Sequence, residues 1–141
     1  MNPTLIECIS LLKSENYTVV LKKSDNCLTS SLRGVRPLLD LLDNHGTLRG
    51  FCVADKVVGR AAAYIYSLLD ITELYALTIS DGACEVLEKY GITYFYEKRV
   101  PLIRNRTDTD SCPMEKATAK ADNPEDAVRL IREALAELNR K

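Results

Sequence analysis

Residues 48–63 read LRGFCVADKVVGRAAA, and the way this run divides decides the fold. Leu48 to Val53 is mostly apolar and short, which predicts a core strand. Ala54 to Ala63 follows without a turn, and Val57/Val58, Ala61/Ala62, Ile65 and Leu68/Leu69 fall on one helical face. The spacing therefore predicts a strand passing directly into a long helix, the unit from which alternating α/β proteins are built.

The pattern extends in both directions. Upstream, Asn2-Pro3 is a helix start, and Leu5, Cys8, Ile9 and Leu12 recur at helical spacing over residues 3–14. Tyr17 to Lys22 and Cys27 to Leu32 flank the turn Ser24-Asp25-Asn26 and predict a hairpin. Pro37 opens a short helix that Asn44-His45-Gly46 closes. Downstream, Glu73 to Ile79 is a strand capped by Ser80 and Asp81. Ala83, Val86, Leu87 and Tyr90 mark a helix ended by Gly91, and Ile92 to Tyr96 is a fifth strand. Lys98 to Ser111 reads as a long polar loop, Cys112-Pro113-Met114-Glu115 as another helix start, and Asn123-Pro124 as the opening of a last helix striped by Val128, Ile131, Leu135 and Leu138. Near-continuous apolar strands between helices need a sheet covered on both faces. The expectation is an α/β fold, a three-layer α/β/α sandwich around a five-stranded mixed sheet in the order 2-1-3-4-5, as one domain over residues 1–141.

Composition narrows the function classes. With 46% apolar and 28% charged residues in 141, the chain is an ordinary globular one. Its formal net charge of −1 supplies no global attraction for nucleic acid or an anionic membrane. No basic segment precedes an apolar run at the N-terminus and no stretch is long enough to span a bilayer, so the expected location is cytoplasmic. The five cysteines, Cys8, Cys27, Cys52, Cys84 and Cys112, are odd in number and far apart, which fits reduced thiols rather than a disulfide framework.

The succession of elements resembles the cytidine-deaminase-like superfamily. More narrowly, VADKVVGRAAA (53–63), RGVRPLL (33–39) and CPME (112–115) resemble a family catalogued as domain of unknown function 1893, over residues from about 5 to 120. In zinc deaminases the metal sits at two helix N-termini, one bearing His or Cys with a Glu two residues on, the next a Cys-x-x-Cys pair. The resemblance puts these positions at Arg33-Gly34-Val35-Arg36 and at Ala54–Gly59, and neither carries a zinc ligand. The single histidine, His45, falls in a turn at the far end of its helix. A tetrahedral site needs three or four close thiolate or imidazole ligands. No metal and no cofactor is expected, and zinc-dependent deamination is argued against whatever the fold.

What remains at those positions still suggests chemistry. A helix start after a strand offers free N–H groups and partial positive charge to an anion. Arg36 and Lys56 lie at or near the two starts, Gly59 permits close approach, and Asp55 and Ser80 fall at carboxyl ends of strands, where α/β clefts lie. The bland alternative has Asp55 capping the helix, Lys56 solvated and Gly59 serving packing. Cys112, at or beside an N-cap with Glu115 three residues on, is a candidate nucleophile or a capping box. The loop cations Lys98, Arg99, Arg104 and Arg106 with Asn105 could clamp an anion or merely be solvated, and Asp108 and Asp110 among them argue against a nucleic-acid partner. Tyr64, Tyr66, Tyr75, Tyr94 and Tyr96 read as packing residues. The leading expectation is a site for an anionic or nucleotide-like small molecule formed by Arg36, Asp55, Lys56, Gly59, Asn105, Arg106, Cys112 and Glu115. The alternatives are a metal-independent enzyme using Cys112, or Asp55 and Glu115 as acid and base, and an interaction module that buries the helix 123–141 in a partner or a second copy. A homo-oligomer is implied only by the deaminase resemblance.

Overall fold

The computed structural model of the chain describes residues 1–104 and 112–139. The first helix, α1 (Pro3–Ser14), begins where expected: the Asn2 side chain accepts a hydrogen bond from Thr4 N–H at 2.9 Å, and Pro3 occupies the first turn. The hairpin β1 (Val19–Lys23) and β2 (Asn26–Ser30) is shifted slightly from its sequence bounds, and Leu32 lies beyond the second strand. The helix α2 (Arg36–His45) starts one residue before Pro37 and ends at Gly46, whose φ of +73° suits a residue without a Cβ.

Residues 48–63 divide differently from the expectation. Leu48 to Phe51 is a turn, β3 spans Cys52–Val58, Gly59 is the N-cap, and α3 spans Arg60–Leu69. Asp55 therefore caps no helix, and Lys56 lies in mid-strand. The physical reason is pairing. Val57 and Val58 continue the parallel register with Thr78 and Ile79, while Val19 holds Asp55 from the other side. β-branched residues favour that pleated surface over a first helical turn.

The remaining elements are β4 (Glu73–Ser80), α4 (Asp81–Lys89), β5 (Thr93–Val100), α5 (Pro113–Thr118) and α6 (Pro124–Asn139). β5 extends past its expected end at Tyr96, so Lys98 and Arg99 are strand residues rather than part of a loop. The sheet order is β2-β1-β3-β4-β5, with β1 antiparallel to both neighbours and β3, β4 and β5 parallel, which is the mixed order the sequence predicts.

Two rows across the sheet show how its faces are covered. Val20, Ala54, Tyr75 and Phe95 stand in register on the face that α1 covers with Leu5, Cys8 and Leu12. Leu21, Val53, Leu74 and Tyr94 stand on the other face, packed with residues of α2, α3 and α4. Strands advancing in one direction with the favoured crossover hand put both connecting helices on one face. The hairpin and α1 are thus left to cover the opposite one. Outside this layer, α6 packs on α3 and α5 through Ala127 and Ile131, both fully buried. No helix among the described residues is long and apolar enough to cross a membrane.

Candidate functional site

Asp55 occupies a row that is otherwise apolar or aromatic, Val19–Asp55–Ala76–Tyr96, on the α3 side of the sheet. Only 8% of it is exposed. An isolated carboxylate there would be strongly disfavoured, and the fold supplies a hydroxyl and backbone N–H donors. Tyr66 of α3 donates its hydroxyl to Oδ2 at 2.5 Å, and Val57 N–H reaches Oδ1 at 3.3 Å. Burial still outweighs them and pushes the Asp55 carboxyl up to about 7. Burial likewise raises the Tyr66 hydroxyl well above the usual tyrosine range, and the neighbouring Asp55 adds to it. The sequence reading found Asp55 but took Tyr66 as packing alone. A tyrosine on an apolar helix face carries no mark, in the sequence, of the acid its hydroxyl will meet.

The second buried acid is Glu115, 4% exposed. Its Oε1 accepts from Arg60 N–H, the first amide of α3, at 2.5 Å, and from the Ser80 hydroxyl at 3.3 Å. Ser80 is the N-cap of α4, accepting from Ala83 N–H. One carboxylate thus sits between the starts of two helices, where negative charge is favoured. Gly59 makes room for it, since a Cβ at that position would overlap Oε1. The expected capping box is not formed. Cys112 holds the N-cap position of α5, but its thiol makes no cap bond and Glu115 is turned to α3.

These acids line one cavity of about 800 Å³, at the carboxyl end of β3 and the starts of α2 and α3. The structure brings Arg36, Asp55, Lys56, Gly59, Cys112 and Glu115 together on its wall with Arg104, one of the cations read as a possible clamp, and adds Arg33. Lys56 is half-buried and one residue out of phase with Asp55 and Val57 along the strand. Most of the wall is apolar: Val19, Val35, Ala61, Ala62 and Met114 line it deeply, and Leu32, Val57 and Leu138 reach it while staying 67%, 49% and 46% exposed. Arg36 donates to Asn139 of α6 at 2.9 Å, and Arg33 has no ion pair among the described residues.

The other expected groups separate. Arg99 pairs with Asp81 at 2.6 Å, so the run of cations does not act as one clamp. Asn105, Arg106, Asp108 and Asp110 lie outside the described residues. His45 is exposed at the end of α2, and among the described residues no three His, Cys, Asp or Glu side chains lie close enough to hold a metal ion. The free thiols Cys8, Cys52 and Cys84 are buried, Cys27 is exposed and Cys112 is half-buried. A smaller groove of about 390 Å³ runs between α2 and α6, where Arg36 is paired with Asn139 and Arg132 with Asp43 at 2.7 Å.

Fold and site together define an α/β protein with a mixed sheet and a largely apolar, arginine-rimmed cavity at the carboxyl end of its central strand. The chain belongs to the TM1506 family, described as domain of unknown function DUF1893, whose profile matches residues 7–135 and so runs into α6 as well as the segments read from the sequence. A crystal structure of a DUF1893 family protein (TM1506) from Thermotoga maritima, at 2.70 Å resolution, has the same fold. It is 24% identical, the match covers 94% of this chain and 90% of that one, and the TM-score is 0.87. No curated protein matches the chain.

Proposed function

We propose that the cavity binds an anionic, nucleotide-like small molecule without a metal. The observation that carries this reading is the cavity itself. Its volume of about 800 Å³ lies in the range of small-molecule sites, and such sites combine apolar walls with a few convergent polar groups. Apolar walls suit a ring, while Arg33 and Arg36 at the start of α2 suit a phosphate or carboxylate.

We read the layout as deaminase-like, with its metal position taken over. The start of α3 corresponds to the place where such a fold would hold zinc, and a carboxylate of this chain, Glu115, already accepts from Arg60 N–H there. Gly59 and Arg60 offer no thiolate or imidazole, and neither do Arg33 to Arg36. The donor set does not fit zinc.

The test is thermal denaturation against a panel of nucleoside phosphates and small phosphorylated metabolites. A binder present at a hundred times its Kd adds about 2.7 kcal/mol and raises Tm by roughly 5–10 °C. Arg36→Ala and Arg33→Ala should each shrink the shift. A panel with no stabiliser contradicts the proposal.

One observation favours a second reading, a metal-independent enzyme. A carboxyl held near 7 inside a cavity is suited to move a proton at neutral pH. Cys112 as nucleophile has less support, because the one histidine, His45, is exposed at the end of α2 away from the cavity. If iodoacetamide labels Cys112 no faster than the exposed Cys27, that role is excluded.

A further inference from the structure

We infer that Asp55 is the floor contact for two adjacent N–H donors, so that the ligand's body is a heterocycle with a guanine-type edge. This deepens the binding reading above and rests on it. The inference starts from the carboxylate's unused capacity. An ionised carboxylate offers about four acceptor positions. The chain fills one on Oδ2 with the Tyr66 hydroxyl and one on Oδ1 with Val57 N–H. Beyond these donors and the neighbouring Lys56 N–H the carboxylate keeps acceptor capacity, and Asp55 lines the cavity.

The chemistry of the complement follows by elimination. A phosphate or carboxylate cannot approach Asp55 without like-charge repulsion, and Glu115 on the same wall reinforces that exclusion. A guanidinium or ammonium ligand would satisfy Asp55 but must pass Arg33 and Arg36 at the entrance. A neutral ring bearing two parallel N–H bonds matches the two oxygens as a fork does and needs no countercharge. Its apolar faces would lie among Val19, Val35, Ala61 and Ala62, and an anionic tail would reach the arginines. The ligand is thereby oriented: donors inward, anion outward.

Tyr66 faces Asp55 from α3, and among the described residues the charged and titratable groups that line the cavity with it are Cys112, Glu115, Lys56 and the three arginines Arg33, Arg36 and Arg104. Paired donors require the ionised carboxylate, so binding releases a proton from Asp55, and affinity increases as pH rises from about 6 to 8.

The experiment is isothermal titration calorimetry with guanosine 5′-monophosphate and inosine 5′-monophosphate, which differ only by the exocyclic amine. The guanosine nucleotide should bind about tenfold to a hundredfold more tightly. In Asp55→Asn, which replaces one acceptor with a donor, the gap should close to within about threefold and the pH dependence should flatten. Because the comparison of ligands uses the unaltered protein, it stands even where the variant folds poorly. Equal affinities for the two nucleotides overturn the inference and leave the binding reading intact, as does a preference that survives in Asp55→Asn. Tighter binding of the adenosine or cytidine monophosphate below pH 7 also overturns it, since the carboxyl would then act as an acid. If no nucleotide binds, both fall.

Discussion

Asp55 shows why a single side chain can be both a cost to the fold and the centre of its site. Its carboxyl titrates near 7 in the folded chain against 3.8 for an ordinary aspartate. Between these values the folded state keeps a proton that the unfolded state has released, so stability falls as pH rises through the window. The full difference corresponds to an upper bound of about 4 kcal/mol. Asp55→Asn removes the titration, so the variant should gain on the parent protein between about pH 4 and 7 in denaturant unfolding. Parallel pH profiles would contradict this account of Asp55. Tyr66→Phe should cost about 1–3 kcal/mol by leaving a buried acceptor short of a donor, read in the same unfolding experiment. Asp55 is legible in the sequence as an acid at the end of an apolar strand. Its partner is not, because nothing in a helix of alanines and tyrosines says which hydroxyl will point inward.

At the scale of elements, α3 is started by a residue 55 positions away, and this can be tested by coupling. Gly59→Ala forces a Cβ against Glu115 Oε1 and should destabilise by about 1–3 kcal/mol. Glu115→Ala leaves Arg60 N–H without its acceptor and should cost a similar amount. In the double variant the two costs should sum to less than their total by about 1 kcal/mol or more, because removing the carboxylate makes room for the new methyl. Strict additivity would mean that Glu115 does not occupy the space beside Gly59. The helices opened by Asn2-Pro3 and Ser80, the hairpin and the strand order were all legible, since each rests on local capping, turn chemistry or alternation. The boundary inside VADKVVGR was not. A buried parallel strand lacks the period-two signature, and Asp-Lys before two valines looks like a first helical turn until β4 supplies the pairing that makes it a strand. Glu115 was legible as an acid at a helix start, but its function depends on a contact across the fold.

For the whole molecule, α6 is part of the core rather than a free surface for association. Its stripe reads in the sequence as packed on the domain or used for association, and the first holds: Ile131 is fully buried and Val128 and Leu135 pack against the same cluster, leaving Leu138 exposed at the cavity. Ile131→Ala should cost about 2–5 kcal/mol, and a chain cut before Asn123 should lose cooperative unfolding rather than yield a folded monomer. A truncated chain that melts like the intact one would show α6 to be dispensable. The cavity draws on α2, β3, α3, α5 and α6 together, so binding should register on all of them at once. Its most direct test is backbone amide chemical-shift mapping during titration with guanosine 5′-monophosphate. Saturating shifts at Val35, Asp55, Val57, Ala61 and Ala62, with Leu5, Cys8 and Leu12 on the opposite face unmoved, are the predicted result. Shifts confined to the α1 face, or none at millimolar nucleotide, would contradict the account.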